Sequence, residues 1–266
     1  MGKFEMTREK MIANFYNQYN EDIRLIKSRH GQLEYATTMY YIHKFVVPNS
    51  EIVEIGAGTG RYAVALAKEG HNVTAVELVD KNLEVLKSNA DGLNNITAFK
   101  ADAVDLSELS DDTFDLTLSL GPFYHLYTKE DVNEAIDEAL RITKKGGIIM
   151  CAFLSIYAIM DSNYMYGRWQ DGLKENFDEN FNVRHFKEQL FTGYDICEFE
   201  ALFKNKNVEY ITTVGLDGSI EALEDRQDFS FTDEDFNSYI KWHLNFAEKR
   251  ELLGRNNHLL LICRKK

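Results

Sequence analysis

The chain has little of what breaks, cross-links or anchors a fold. Among its 266 residues are only 2 prolines and 3 cysteines, and no two cysteines form a C-x-x-C pair. Reduced thiols are therefore expected rather than a disulfide framework. No apolar run approaches the roughly eighteen residues of a membrane-spanning helix, and the start of the chain has neither a signal-peptide pattern nor an N-myristoylation signal. These absences predict a cytoplasmic protein with no membrane partner.

Positive charge is also scarce. The chain has 43 acidic and 30 basic residues, a formal net charge of −13. Such a charge repels phosphate backbones, so a nucleic-acid partner is not expected. The acidity serves solubility, or else it favours cationic or neutral substrates. With 44% hydrophobic residues, a chain of this length predicts a single elaborated domain.

A glycine-rich loop stands out against this background. The segment Glu54-Ile55-Gly56-Ala57-Gly58-Thr59-Gly60 ends an apolar run and precedes a helix-like segment, Arg61 to Lys68. Three alternate glycines suggest a backbone that a ligand approaches closely, beside a helix N-terminus that favours an anion. Glu77 ends the next apolar strand, where a carboxylate can bind both hydroxyls of a ribose. The spacing G-x-G-x-G differs from the G-x-G-x-x-G of dinucleotide folds, which disfavours pyrophosphate binding.

Periodicity gives the organisation of the chain. Residues 7–47 have apolar positions at helical spacing and predict two or three helices. From Glu51 onward, strands and helices alternate, which predicts a doubly wound, mostly parallel α/β sheet of Rossmann-like type. Residues 156–190 lose this periodicity and are rich in aromatic residues and Asn. We expect a helical cap or lid over residues 1–50 and a core over 51–266, with 156–190 as a substrate-covering insertion.

Together these motifs resemble motif I and the following motifs of the class I S-adenosylmethionine-dependent methyltransferases. The resemblance covers about Glu51 to Leu154: the E-x-G-x-G-x-G loop, Glu77, Ala101-Asp102-Ala103 and Lys144-Lys145-Gly146-Gly147 follow in the family's order. It implies a seven-stranded sheet whose last strand is antiparallel. It also implies S-adenosylmethionine as cofactor and S-adenosylhomocysteine as product.

The resemblance also implies roles for individual residues. The residue matching Glu54 helps to fix the amino acid end of the cofactor, the one matching Asp102 binds the adenine amino group, and the Ala103 amide reaches a ring nitrogen. N-terminal helices in this family often form a lid, for which Tyr16, Tyr19 and Arg24 are candidates. The other expected cofactor-binding residues are Gly56, Ala57, Gly58, Gly60, Glu77, Leu78 and Leu120.

The segment after the fourth strand predicts the acceptor class. Enzymes of this family that methylate nucleobases or glutamine carry [N/D/S]-P-P-[Y/F] there, whereas this chain has Leu120-Gly121-Pro122-Phe123. A small-molecule acceptor is therefore preferred. Tyr124 and His125 are the catalytic candidates, because an imidazole can remove a proton near neutral pH, although His125 could equally serve only in packing. No metal-ligand spacing occurs, and the other histidines, including His258, are expected at the surface or in packing.

The expected reaction is direct in-line methyl transfer, in which positioning supplies most of the rate. Three alternatives remain open at this point. A pocket does not guarantee chemistry, so the chain could be a non-catalytic regulatory protein that binds S-adenosylmethionine or S-adenosylhomocysteine. An NAD-dependent oxidoreductase would share the ribose-binding acid, and a protein could be the methyl acceptor.

Overall fold

The computed structural model describes residues 7–186, 189–224 and 226–266. Its centre is an eight-stranded sheet in the order β3-β2-β1-β4-β5-β8-β7, with the short β6 paired to β5. The strands are β1 Glu51–Ile55, β2 Asn72–Glu77, β3 Ile96–Lys100, β4 Phe114–Ser119, β5 Thr143–Ser155, β6 Gly193–Tyr194, β7 Val208–Gly215 and β8 His258–Lys265.

The predicted Rossmann-like, mostly parallel sheet is confirmed. Strand β1 pairs in parallel with β2 and β4, and β8 is antiparallel to both β5 and β7. The sheet has one strand more than the seven expected, because the two residues of β6 also pair with β5. So short a strand leaves no periodic signal in the sequence.

Helices cover both faces of the sheet. They are α1 Arg8–Gln18, α2 Arg29–Phe45, α3 Arg61–Lys68, α4 Asp80–Asn89, α5 Lys129–Ile142, α6 Ile156–Met165, α7 Trp169–Asn176, α8 Ile196–Ala201, α9 Glu221–Glu224, α10 Asp233–Phe246 and α11 Arg250–Leu253. In the predicted insertion 156–190, α6 and α7 replace the expected irregular chain. Over residues 231–253, where the spacing of apolar residues predicts one long helix, the structure has two helices, α10 and α11.

Side chains alternate across β1 as a strand period of two requires. Ile52 belongs to one buried cluster, whereas Val53 and Ile55 belong to the cluster on the opposite face. Both faces of β1 are therefore buried, and its carboxyl end opens where β1 lies between β2 and β4. In an open α/β sheet this switch point is the usual position of a ligand crevice. None of the helices in the described ranges has the length and apolar run that a bilayer crossing requires.

Candidate active site

A cavity of about 350 Å³ lies at this carboxyl edge, beneath α1. It collects nearly all of the residues that the sequence predicted for the site. Its lining includes Tyr16, Tyr19, Arg24, Glu54, Gly56, Ala57, Gly58, Glu77, Leu78, Asp102, Ala103, Leu120, Tyr124 and His125. Gly60 does not line the cavity; it takes a left-handed conformation, φ 85°, before the first residue of α3. Its function is the turn itself, since a Cβ there would lie 2.8 Å from Leu86 Cγ.

The glycine loop is held by its own backbone. The amides of Gly56 and Ala57 donate to the Val76 carbonyl at 2.8 and 2.9 Å. Gly56 has φ 71°, and a Cβ at this position would lie 2.8 Å from Pro122 Cδ. A glycine is therefore required by both the left-handed backbone and the close approach of the segment after β4. Since these amides already donate within the protein, the loop's hydrogen bonds do not support their predicted role in binding the cofactor's carboxylate.

Glu77, the last residue of β2, links the segments that follow β1 and β2 through hydrogen bonds. Its carboxylate accepts from the Gly58 amide at 2.7 Å and from the Val79 amide at 2.8 Å. The side chain lines the cavity yet is 5% exposed, and burial raises the pKa of Glu77 to about 7 despite these hydrogen bonds. A half-ionised carboxyl group at this position can accept a hydrogen bond from a ribose hydroxyl at little desolvation cost.

Glu54 lies deeper in the same wall. Its carboxylate accepts from the Ala63 amide of α3 at 2.8 Å, and burial raises the pKa of Glu54 to about 8. At neutral pH the carboxyl group is therefore mostly protonated. A cation that enters this end of the cavity would favour its ionised form. The predicted contact between Glu54 and the cofactor's ammonium remains a prediction.

Asp102 has a partner that the sequence did not reveal. The first residue of α1, Arg8, donates to Asp102 Oδ2 at 2.5 Å, across 94 positions of the chain. Both side chains line the cavity and are mostly buried. The carboxylate that the resemblance assigns to adenine is thus tied to the first turn of α1, so the adenine end of the site and the N-terminal helix are mechanically linked.

His125 is fixed by hydrogen bonds at both ring nitrogens. A carbonyl only accepts, so Nδ1 donates its hydrogen to the Leu190 carbonyl at 2.6 Å. Burial lowers the pKa of His125 to about 4, so the ring is neutral and Nε2 accepts from the Tyr16 hydroxyl at 3.2 Å. An imidazole with this pKa is a weak base at neutral pH. The proposed proton transfer by His125 therefore remains a prediction, while its position in the cavity is established.

Arg24 is committed to two carboxylates. It binds both oxygens of Glu34 at 2.7 and 3.0 Å and Glu21 at 2.9 Å. The Glu34 side chain is 4% exposed, and although burial alone would raise the pKa of Glu34, Arg24 lowers it to about 2. Each donating nitrogen of Arg24 already has a carboxylate partner, which gives the residue a structural role. Its predicted contact with the cofactor remains untested.

Helix α1 is held over the cavity at its C-terminal end. Lys81 Nζ, on α4, donates to the carbonyls of Tyr16, Asn17 and Tyr19 at 3.1, 3.1 and 3.0 Å. A cation at the last carbonyls of a helix also compensates the helix dipole. Lys81 lies four residues after Glu77, so the segment after β2 both lines the cavity and positions α1.

The aromatic wall of the cavity combines distant segments. The Phe191 ring lies 5.2 Å from Phe15 and 5.0 Å from His125, centroid to centroid. His258, expected at the surface or in packing, also lines the cavity. Phe191 directly follows the predicted insertion, and Leu190 ends it. The described part of the insertion reaches the site only through the Leu190 carbonyl, so its substrate-covering role stays a prediction.

Comparisons with known proteins identify the kind of domain that contains this cavity. A methyltransferase-domain family model matches residues 53–151. A demethylmenaquinone methyltransferase from Clavibacter sepedonicus is 36% identical over 109 residues, which cover 40% of this chain and 42% of that protein; the chain thus spans less than half of this relative. A ubiquinone biosynthesis O-methyltransferase from Rickettsia typhi is 25% identical over 205 residues, which cover 74% of this chain and 81% of that protein.

The fold is similar to that of a solved protein over nearly the whole chain. A solved S-adenosylmethionine-dependent methyltransferase from Thermotoga maritima has a TM-score of 0.60 at 16% sequence identity, covering 97% of this chain and 100% of that chain. The structure is thus that of a Rossmann-like protein with a cavity at the carboxyl edge of its sheet. The chain belongs to the class I S-adenosylmethionine-dependent methyltransferases, as its motifs predicted, and its cofactor is S-adenosylmethionine.

Proposed function

We propose that the protein methylates a small ring compound of the kind used in quinone biosynthesis, by direct in-line transfer. The observation that carries this proposal is the continuity of the cavity. A single space extends from Glu77 and Asp102 to the aromatic wall around Phe191 and His125. Cofactor and acceptor can therefore meet in one cavity, whose aromatic wall suits a planar apolar ring.

The similar proteins support the acceptor class. The relatives from Clavibacter sepedonicus and Rickettsia typhi are described as methyltransferases of menaquinone and ubiquinone biosynthesis. The second name specifies oxygen as the methylated atom, whereas the first names demethylmenaquinone and no atom. The acceptor atom is left open in the proposal. The expected cytoplasmic location and the absence of a nucleic-acid partner also stay predictions.

The chain's own residues would mainly position and shield the reactants. The cofactor supplies a methyl group on a sulfonium, which leaves as the neutral thioether S-adenosylhomocysteine. Helix α1, which Arg8 and Lys81 hold at its two ends, would cover the bound reactants and limit the access of water. The Tyr16 hydroxyl and the neutral His125 ring form one side of the acceptor space. Since the leaving group is already activated, alignment in a dry pocket is the main requirement.

The test is calorimetric titration with S-adenosylhomocysteine and, separately, with NAD. We expect the wild type to bind the thioether and not NAD. In Glu77→Gln, which keeps the side-chain shape and one oxygen acceptor, affinity should fall at least about tenfold, or ~1.4 kcal/mol. Glu84→Ala is the matched control, because Glu84 is an exposed acid on α4. Binding of NAD without the thioether would refute the proposal.

The acceptor class is tested separately with S-adenosylmethionine labelled in its methyl group. A cell extract is divided into small-molecule and macromolecular fractions, and each fraction is supplied to the enzyme. We expect the label in a hydrophobic ring compound from the small-molecule fraction. Label found only in protein would instead support the alternative of a protein methyltransferase.

A further inference from the structure

A buried ion-pair cluster stands beside the acceptor side of the cavity. His258, the first residue of β8, holds its Nδ1 2.7 Å from Asp217 Oδ2. The same nitrogen lies 3.9 Å from Glu34 Oε2, the carboxylate bound to Arg24. His258 lines the cavity, whereas the Asp217 side chain is fully buried behind it. The imidazole is thus oriented from behind, with its ring forming part of the cavity wall.

Tyr124 offers a second polar group in the same wall. Its ring centroid lies 5.7 Å from that of His258. Its hydroxyl is buried and has no hydrogen-bond partner among the described residues. Three other buried side-chain polar atoms share that property, on Thr37, Thr38 and Gln189, but of the four residues only Tyr124 lines the cavity. A buried hydroxyl without a partner costs free energy unless a ligand satisfies it.

Both groups keep their protons at neutral pH. Burial alone would lower the pKa of His258, but the carboxylates of Glu34 and Asp217 outweigh it and raise the pKa to about 9. Burial raises the pKa of the Tyr124 hydroxyl well above its ordinary value. With Nδ1 directed at Asp217, the second N–H of the imidazolium and the Tyr124 hydroxyl are hydrogen-bond donors.

The charged groups around His258 already neutralise one another, so none of them prevents a ligand oxygen from approaching the imidazolium. Within the cluster, Arg24 and His258 are cations and Glu34 and Asp217 are carboxylates, so the four groups balance. Two further acids nearby are engaged: Glu21 binds Arg24 and has a pKa raised by burial, and Glu221 accepts from Asn257. The charged and titratable groups facing His258 are Glu21, Arg24, His30, Glu34, Tyr124, Asp217 and Glu221.

We propose that His258 and Tyr124 together bind the phenolate oxygen of an aromatic acceptor. The inference rests on the proposed function and adds to it the residues that recognise the acceptor. Each of the two residues has a hydrogen to donate to an acceptor oxygen, and the Phe15 and Phe191 rings line the same cavity, where an apolar ring could pack against them. A phenol bound as its anion would release its proton to solvent and form a charge-assisted hydrogen bond with the imidazolium. Donation to the oxygen holds it in place, so we assign the two residues to binding and orientation.

A divalent cation is the rival occupant. Asp217, Glu221 and His258 place possible ligand atoms within 4.8 Å of one another. However, Asp217 already accepts from His258 Nδ1 and from the backbone amide of Asn257 at 3.0 Å. A metal at His258 Nδ1 would have to replace the proton that this ion pair holds. The ion pair and the unpartnered Tyr124 hydroxyl therefore favour an organic oxygen.

The test uses 4-nitrophenol, whose anion is coloured, in buffer below its own pKa and with saturating S-adenosylhomocysteine. We expect the wild type to bind the probe and to generate the phenolate absorbance, whereas 4-nitroanisole, which has no ionisable oxygen, binds at least about tenfold more weakly. His258→Gln and Tyr124→Phe should each lose the absorbance change and at least about tenfold in probe affinity. Tyr124→Phe removes only a hydroxyl without a partner, so its fold should be unaffected. His43→Gln, at an exposed histidine paired with Glu69, is the control.

Titration with S-adenosylhomocysteine distinguishes a failure of the acceptor assignment from a failure of the proposed function. If the wild type and both variants bind it equally, but the probe stays neutral or the variants bind the probe like wild type, the acceptor assignment alone is overturned. Loss of the probe signal in EDTA with recovery on adding Mg²⁺ would also overturn it, in favour of a bound metal. A wild type that does not bind S-adenosylhomocysteine would overturn the proposed function and this inference together.

Discussion

The cavity has a proposed cofactor half, around Glu54 and Glu77, and a proposed acceptor half, around Glu34, Asp217 and His258. The two halves hold their polar groups by different means. Around Glu54 and Glu77, the carboxylates accept from backbone amides, those of Ala63, Gly58 and Val79. Around Glu34, Asp217 and His258, charged side chains pair with charged side chains: Glu34 with Arg24 and Asp217 with His258, although Asp217 also accepts from the backbone amide of Asn257. The cofactor half therefore depends on backbone geometry, whereas the acceptor half depends on the exact partner of each side chain. Substitutions in the two halves should fail in different ways.

The largest effect is expected from removing Arg24 in the acceptor half. Arg24→Met leaves the buried Glu34 carboxylate without its principal partner, and an unpaired buried charge costs about 3–5 kcal/mol of folding stability. Urea denaturation measures this loss. The control is Arg226→Met, because Arg226 and Asp228 form an exposed ion pair whose removal should leave the stability nearly unchanged. Equal losses in the two variants would show that the buried cluster has no special importance.

A slightly smaller effect is expected from Gly56→Ala in the cofactor half. The new methyl group combines a left-handed backbone with a contact 2.8 Å from Pro122 Cδ, and the two together should cost roughly 2–5 kcal/mol. Gly70→Ala is the matched control, since Gly70 has φ 95° with nothing within 4 Å of its Cβ position and should cost only about 1–2 kcal/mol. Stability is measured by denaturation and affinity by titration with S-adenosylhomocysteine. If the two variants lose equal stability and both keep wild-type affinity, close packing at Gly56 is unimportant.

The smallest effect on stability is expected from removing Lys81, which holds the end of α1 over the cavity. Lys81→Met removes the cation from three carbonyls at the end of α1, which should cost about 0.3–1 kcal/mol. Hydrogen exchange should nevertheless become faster in α1 and remain unchanged in β1, because only the attachment of the helix is weakened. Lys87→Met, at an exposed position on α4, should leave both rates as in the wild type. Unchanged exchange in α1 with Lys81→Met would show that other contacts hold the helix.

The same division between the halves explains which site residues the sequence could predict. The glycine loop, Glu77 and Asp102 lie at or just after strand ends, so strand and turn signals within some fifty residues locate them together. The Arg8–Asp102 pair spans 94 positions and the His258–Asp217 pair spans 41. No local pattern marks either pair. His258 in particular has no metal-ligand or catalytic spacing in the sequence, and only the order of β5, β8 and β7 brings it to the cavity.

The elements that departed from prediction did so for related reasons. Strand β6 is too short to carry a period, and α6 and α7 lie in a segment whose aromatic residues hide the helical spacing. Several of those aromatic side chains are exposed, Tyr164 and Tyr166 among them, so helix formation there does not depend on one apolar face. In contrast, the predicted start of the strand and helix alternation at Glu51 is the first residue of β1, and the predicted strand end at Glu77 is the last residue of β2. Buried parallel strands are apolar runs bounded by turns, which makes their ends visible in the sequence.

The amino-acid sequence by itself determined the sheet, the glycine turn and the acid at the end of β2, because backbone conformation and strand burial depend on neighbouring residues. It thereby determined the family and the cofactor. The tertiary structure decided how α1 is held over the cavity, why His125 is neutral, and how His258 and Tyr124 come together. Those properties depend on burial and on charges brought close from distant parts of the chain, which only packing can specify.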